Sequence, residues 1–177
     1  MKTKLLDHDH TEMDQVLAAF FTALSQRDVE QSFQTLDFFW ARLAVHIRAE
    51  HLQLFPALIQ AAEAADPRAT ADHPSAKEVR ETTALLRRDH DFFMVEFFHL
   101  MKLMRAQRKP GVFQADAAQV LDRRVNEVKK RLQTHNALEE ARVYRWAGVL
   151  LSPDECDALN ERMQRDLANL PPRFRPK

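Results

Sequence analysis

The chain has 177 residues, 45% of them apolar and 29% charged, with Lys+Arg and Asp+Glu at 26 each. That length suits one globular domain with a sizeable core, and the balanced charge excludes electrostatic binding to nucleic acid or a membrane surface. The single cysteine, Cys156, excludes an internal disulfide and any Cys-rich zinc or iron–sulfur framework. With no signal-like or membrane-length apolar run, a cytoplasmic location is expected.

Only Gly111 and Gly148 occur as glycines, in a sequence rich in Ala, Leu, Glu, Gln and Arg, which predicts an all-α protein. A first helix is read from Leu5 to about Gln26, with Leu6, Met13, Leu17, Phe21 and Leu24 at helical spacing. A second follows Arg27-Asp28 and runs to about Ala65. The polar loop DPRATADHPS (66–75) closes with Ser75 and Glu78 spaced as a capping box, opening a third helix to about Arg108. Lys109-Pro110-Gly111 is a stop, and a fourth helix covers about Phe113 to Leu151. Ser152-Pro153-Asp154-Glu155 caps a shorter fifth helix to about Leu170, and PPRFRPK is expected to fray.

Four long amphipathic helices on short connections predict an up-down-up-down four-helix bundle over residues 1–151, with residues 152–177 as an extra C-terminal helix and flexible tail. The apolar surplus of the third helix, including Phe92, Phe93, Phe97, Phe98, Leu100, Met101 and Met104, covers more than one face. It is expected either to pack under the fifth helix or to form a homodimer contact. Arg87-Arg88 and Lys129-Lys130-Arg131 read as solvated faces, and Tyr144 and Trp146 as packing residues.

The eight histidines divide by helical phase. Leu6, His10, Met13 and Leu17 share one stripe; so do Leu43, His46, Glu50 and Leu54, then Leu86, His90, Phe93 and Phe97, then Val128, Leu132, His135 and Glu139. At about 100° per residue His51 lies roughly 140° from His46, and His99 about half a turn from His90, so both are expected to point elsewhere. His73 lies in the loop and His8 off its stripe.

A single inward histidine is ordinarily a hydrogen-bonded core residue. Four of them with two glutamates at one level of an apolar core would each cost several kcal/mol unless paired. Two cations remove that cost, and a nitrogen and oxygen donor set without thiolate suits iron, then manganese or zinc. The predicted metal-binding residues are therefore His10, His46, Glu50, His90, His135 and Glu139. No nucleophile elbow, glycine-rich phosphate loop or HExxH motif offers a competing chemistry.

The stretches "DHDHTEMDQVL" (7–17), "HIRAEHLQLFPAL" (46–58), "RRDHDFFMVEF" (87–97) and "HNALEEARVY" (135–144) together resemble the hemerythrin-like HHE cation-binding domains. The resemblance covers about residues 5–150. It implies that His10 and His46 bind one iron and His90 and His135 the other, with Glu50 and Glu139 bridging them beside an oxo or hydroxo group. It also implies a small ligand such as O2, NO or peroxide at about one open position per metal. The oxygen carriers of the family have HxxxH in the third helix and HxxxxD in the fourth; here Met94 follows His90 and Glu139 follows His135. This set is closer to the di-iron domains similar to iron–sulfur-cluster repair proteins, which usually carry an added cysteine-bearing segment. Iron handling is a second expectation for such a centre, and iron–sulfur-cluster or nitrosative-stress repair, di-iron oxidase chemistry and a regulatory interaction module with a structural metal are the alternatives.

Overall fold

The computed structural model describes residues 4–65, 73–108 and 115–174. All regular structure among them is helical: α1 (Lys4–Ser25), α2 (Val29–Ala49), α3 (Phe55–Ala64), α4 (Ala76–Gln107), α5 (Ala115–Leu138), α6 (Tyr144–Leu150) and α7 (Pro153–Ala168), with a short 3-10 turn at Pro172–Phe174. The Lys109-Pro110-Gly111 stop and most of the 66–75 loop lie outside the described residues.

The predicted second helix is one rod made of α2 and α3, and the predicted fourth is one rod made of α5 and α6. In each rod a π-helical turn joins the two parts, at Glu50–Leu54 and at Glu139–Val143. The widened backbone bonds run from Phe55 N–H to the Glu50 carbonyl and from Tyr144 N–H to the Glu139 carbonyl. Pro56 gives a local reason for the first turn, since proline lacks an N–H and its ring crowds the carbonyl four residues back. Arg145 stands at the matching place in the second turn, which forms without a proline.

The rods pack in a ring, α1 on α2, α2 on α4, α4 on α5 and α5 on α1. The α1–α2 connection is tight: Arg27 takes a left-handed φ of 58°, and Asp28 caps α2 by accepting from Gln31 N–H at 2.9 Å. Ser75 caps α4 through Glu78 N–H, and Ser152 with Glu155 forms a reciprocal capping box on α7.

Two apolar clusters fill the interior. One joins Met13, Leu17, Phe20, Leu36, Phe39, Leu43, Phe93, Phe97, Val128 and Leu132. The other joins Leu6, Ala49, Leu54, Phe55, Leu58, Leu86, Val143, Tyr144 and, from α7, Leu159, Met163 and Leu167. The helix α7 thus covers the second cluster, lying on α2, the first π turn and α6. The apolar surplus of α4 does not pack under it: Phe93, Phe97, Leu100, Met101 and Met104 belong to the first cluster, while Phe98 is half exposed beside Trp40. The tail is held as far as Phe174, whose ring meets Phe38 at 5.3 Å while Arg173 pairs with Asp37 at 2.9 Å. No helix among the described residues is long and apolar enough to cross a membrane.

Candidate metal centre

On every rod the chain passes from one apolar cluster to the other through a polar side chain. His10 falls between Leu6 and Met13, His46 between Leu43 and Ala49, His90 between Leu86 and Phe93, and His135 between Leu132 and Val143. All four, with Glu50 and Glu139, are buried and meet in one layer. The six residues expected from sequence phase therefore come together.

The layer has two halves. In one, His10 Nε2 and His46 Nε2 are 3.2 Å apart; in the other, His90 Nε2 and His135 Nε2 are 2.9 Å apart. Each glutamate spans both. Glu50 Oε1 lies 3.5 Å from His46 Nε2 and its Oε2 3.3 Å from His90 Nε2. Glu139 Oε2 lies 3.5 Å from His10 Nε2 and its Oε1 3.0 Å from His135 Nε2. His10, His46 and Glu139 bring donor atoms within 4.8 Å of one another, and so do His90, His135 and Glu139.

The outward nitrogens are held in matching fashion. His46 Nδ1 meets Asp9 Oδ2 at 2.7 Å, and His135 Nδ1 meets Asp89 Oδ2 at 3.3 Å. Asp9 is gripped by Arg42 and Asp89 by Arg131, at 2.6 Å in each case. His10 Nδ1 meets Glu140 Oε1 at 3.1 Å, and His90 Nδ1 meets His51 Nε2 at 2.8 Å. A carboxylate on Nδ1 fixes the proton there and turns the Nε2 lone pair inward. Two such lone pairs at 3.2 Å repel unless a positive charge lies against them.

In the metal-free protein, protons supply that charge. Burial pulls the His46 pKa down, yet the Glu50 charge and the hydrogen bond with Asp9 outweigh it and raise it to about 10. His135 is likewise raised, burial being overcome by Glu139 and Asp89. His90 is lowered to about 3 by burial, with His135, His51 and His46 adding and Glu50 opposing. Burial acts to raise Glu139, but His135 and His10 hold it well below the usual carboxylate range. One raised histidine sits in each half.

The donor set also fits cations. Two neighbouring donors on one ion at about 2.1 Å stand roughly 3 Å apart in octahedral geometry, close to both imidazole–imidazole spacings. Glu50 Oε2 and Glu139 Oε1, both buried, receive no well-aligned hydrogen bond and have only the ion-pair contacts with His90 Nε2 and His135 Nε2. Buried carboxylate oxygens without aligned donors are costly unless a positive charge lies against them.

Several site residues were not expected. Tyr144, read as a packing residue, places its hydroxyl inside the layer: it donates to Glu50 Oε1 at 3.0 Å, with His10 Nε2 at 3.2 Å and Glu139 Oε2 at 3.4 Å. Burial and the charges of Glu139 and Glu50 raise its pKa well above the ordinary tyrosine value. Arg131, read as part of a solvated face, both holds Asp89 and stacks on Phe92 with its carbon 3.9 Å from the ring centre. His51 lies outside both donor groups yet backs His90. The sequence carried a signal for most of these. Asp precedes His at 9–10 and at 89–90, and Arg42, His46, Glu50 and Phe55 recur at identical spacing as Arg131, His135, Glu139 and Tyr144. His8, paired with Glu12 at 3.4 Å, and His99 are exposed, as their phases predict.

No family model, curated protein or solved structure matches this chain. Its own residues make the case: buried histidines and glutamates from all four rods form a cluster that could hold a metal ion.

Proposed function

We propose that the chain is a hemerythrin-like non-haem di-iron protein, an up-down-up-down four-helix bundle whose core binds two iron ions and, through them, a small ligand such as O2, NO or peroxide. One observation carries this reading: each of two buried carboxylates lies between two imidazole pairs and turns one oxygen toward each pair. His10 and His46 would hold one ion, His90 and His135 the other, and Glu50 and Glu139 would bridge them. Iron supplies reversible redox change and a position for a diatomic ligand; manganese or zinc suits the same donors.

The chain's own residues orient the donors and keep water out. Asp9, Asp89 and Glu140 fix the tautomers of His46, His135 and His10. Phe93 stands edge-on to His135 at 5.2 Å and Phe55 stacks on His90 at 6.0 Å, giving the site apolar walls. The test is metal analysis of protein purified without oxygen, followed by absorption spectra before and after O2 and NO. Two metals per chain are expected, lost in a Glu50→Ala/Glu139→Ala double variant, with spectra that respond to the gases. Less than one metal per chain from iron-replete cells overturns the assignment; two metals with spectra inert to both gases mean a structural site.

A further inference from the structure

The two halves share their His, Glu, Asp and Arg framework and differ around it at two matching pairs of positions that face the donors. Phe55 and Tyr144 each follow a spanning glutamate by five residues, at the end of a π turn. His51 and Glu140 each follow that glutamate directly. With i→i+5 bonding, five residues make about one full turn, so the fifth residue returns to the face of the glutamate. At that place one half has a phenol and the other a plain ring.

The phenol is confined to one side. Its three polar neighbours, His10 Nε2, Glu50 Oε1 and Glu139 Oε2, all belong to the His10–His46 half. The opposite oxygens, Glu50 Oε2 and Glu139 Oε1, receive nothing from the phenol and have only the imidazoles of His90 and His135 beside them. Phe55 lies flat on His90, at 3° between ring planes, and offers no donor.

We propose that Tyr144 is a fifth protein ligand of the ion held by His10 and His46, so that the two ions are unlike and an added small ligand binds the ion at His90 and His135. The inference rests on the two-ion reading above. On ligation the phenol O–H bond is replaced by an O–metal bond, and the proton leaves to the buffer. The first ion then has five protein donors and the second four, so the second has more room for a ligand from solution. Glu140 behind His10 and the His51 imidazole behind His90 add to the contrast, because a carboxylate supports the more charged ion.

Tyr144 is the only tyrosine in the chain, so a phenolate signal has a single source. Protein loaded with iron and oxidised with ferricyanide is expected to show a phenolate-to-iron charge-transfer band in the visible, with tyrosine ring modes enhanced in its resonance Raman spectrum. Tyr144→Phe, which removes one oxygen and keeps the volume, is expected to lose both while still holding two irons. Azide titration reads the asymmetry: one azide per chain in the wild type, two in Tyr144→Phe. Phe55→Tyr provides an independent variant in which azide binding is expected to weaken at least tenfold. Two irons per chain without a phenolate signal, or a signal that survives Tyr144→Phe, overturns this inference alone. Less than one iron per chain overturns it together with the reading beneath it.

Discussion

Asp9 and Asp89 each precede a histidine of their own helix yet serve a histidine of another. Each accepts a hydrogen bond from the Nδ1–H of a partner across the helix interface and is itself held by an arginine, which fixes the orientation and tautomer of the imidazole. Such outer groups are worth about 10–100-fold in metal affinity. Asp89→Asn is therefore expected to weaken metal binding by about that factor in a chelator competition, with the helical circular dichroism unchanged; an affinity within twofold of wild type would show that Asp89 does not position His135. The six buried histidines and glutamates were legible because a polar residue on an apolar stripe stands out against its neighbours. The two aspartates were not, since a residue about 100° off the stripe reads as surface. They face the neighbouring rod, a direction that the phase of a single helix does not report.

At the scale of elements, helix limits follow the caps and the periodicity closely, whereas neither π turn is marked by the composition of EHLQL or EEARV. That is also why the sequence makes Tyr144 look like a packing residue: in an α-helix five residues span roughly 500°, which takes it about 140° away from Glu139. The two turns allow the role of Pro56 to be separated from that of packing. Because the second turn holds with Arg145 at the matching place, a missing N–H is not required for a widened rod at this level. Pro56→Ala is expected to retain two metals per chain and to change the unfolding free energy by no more than about 1 kcal/mol, the net worth of one hydrogen bond. Loss of a metal in that variant would assign the turn to the proline. The role of α7 was likewise beyond periodicity, which predicts a helix with one apolar face and leaves open which cluster that face meets.

Across the whole molecule, a charged layer separates two apolar clusters, and its response to pH changes sign with occupancy. In the metal-free protein the raised pKa of His46 contributes stability that is fully present below 6.5 and is lost as pH rises toward about 10. With cations bound, protons compete for the same nitrogens, so stability grows over that window. Thermal unfolding between pH 6.5 and 9 is expected to show a falling Tm with EDTA and a steady or rising Tm with zinc; parallel curves would mean that the cation does not displace the His46 proton. The repeated placement of Asp, Arg, His and Glu has a further consequence. A helical hairpin carrying that set once, laid against a like hairpin, already completes the scaffold of the cage, so the framework is specified nearly twice over by one pattern. Whatever makes the two halves of the layer individual is then concentrated in very few letters, and a change at position 55 or 144 alters one half without touching the plan they share.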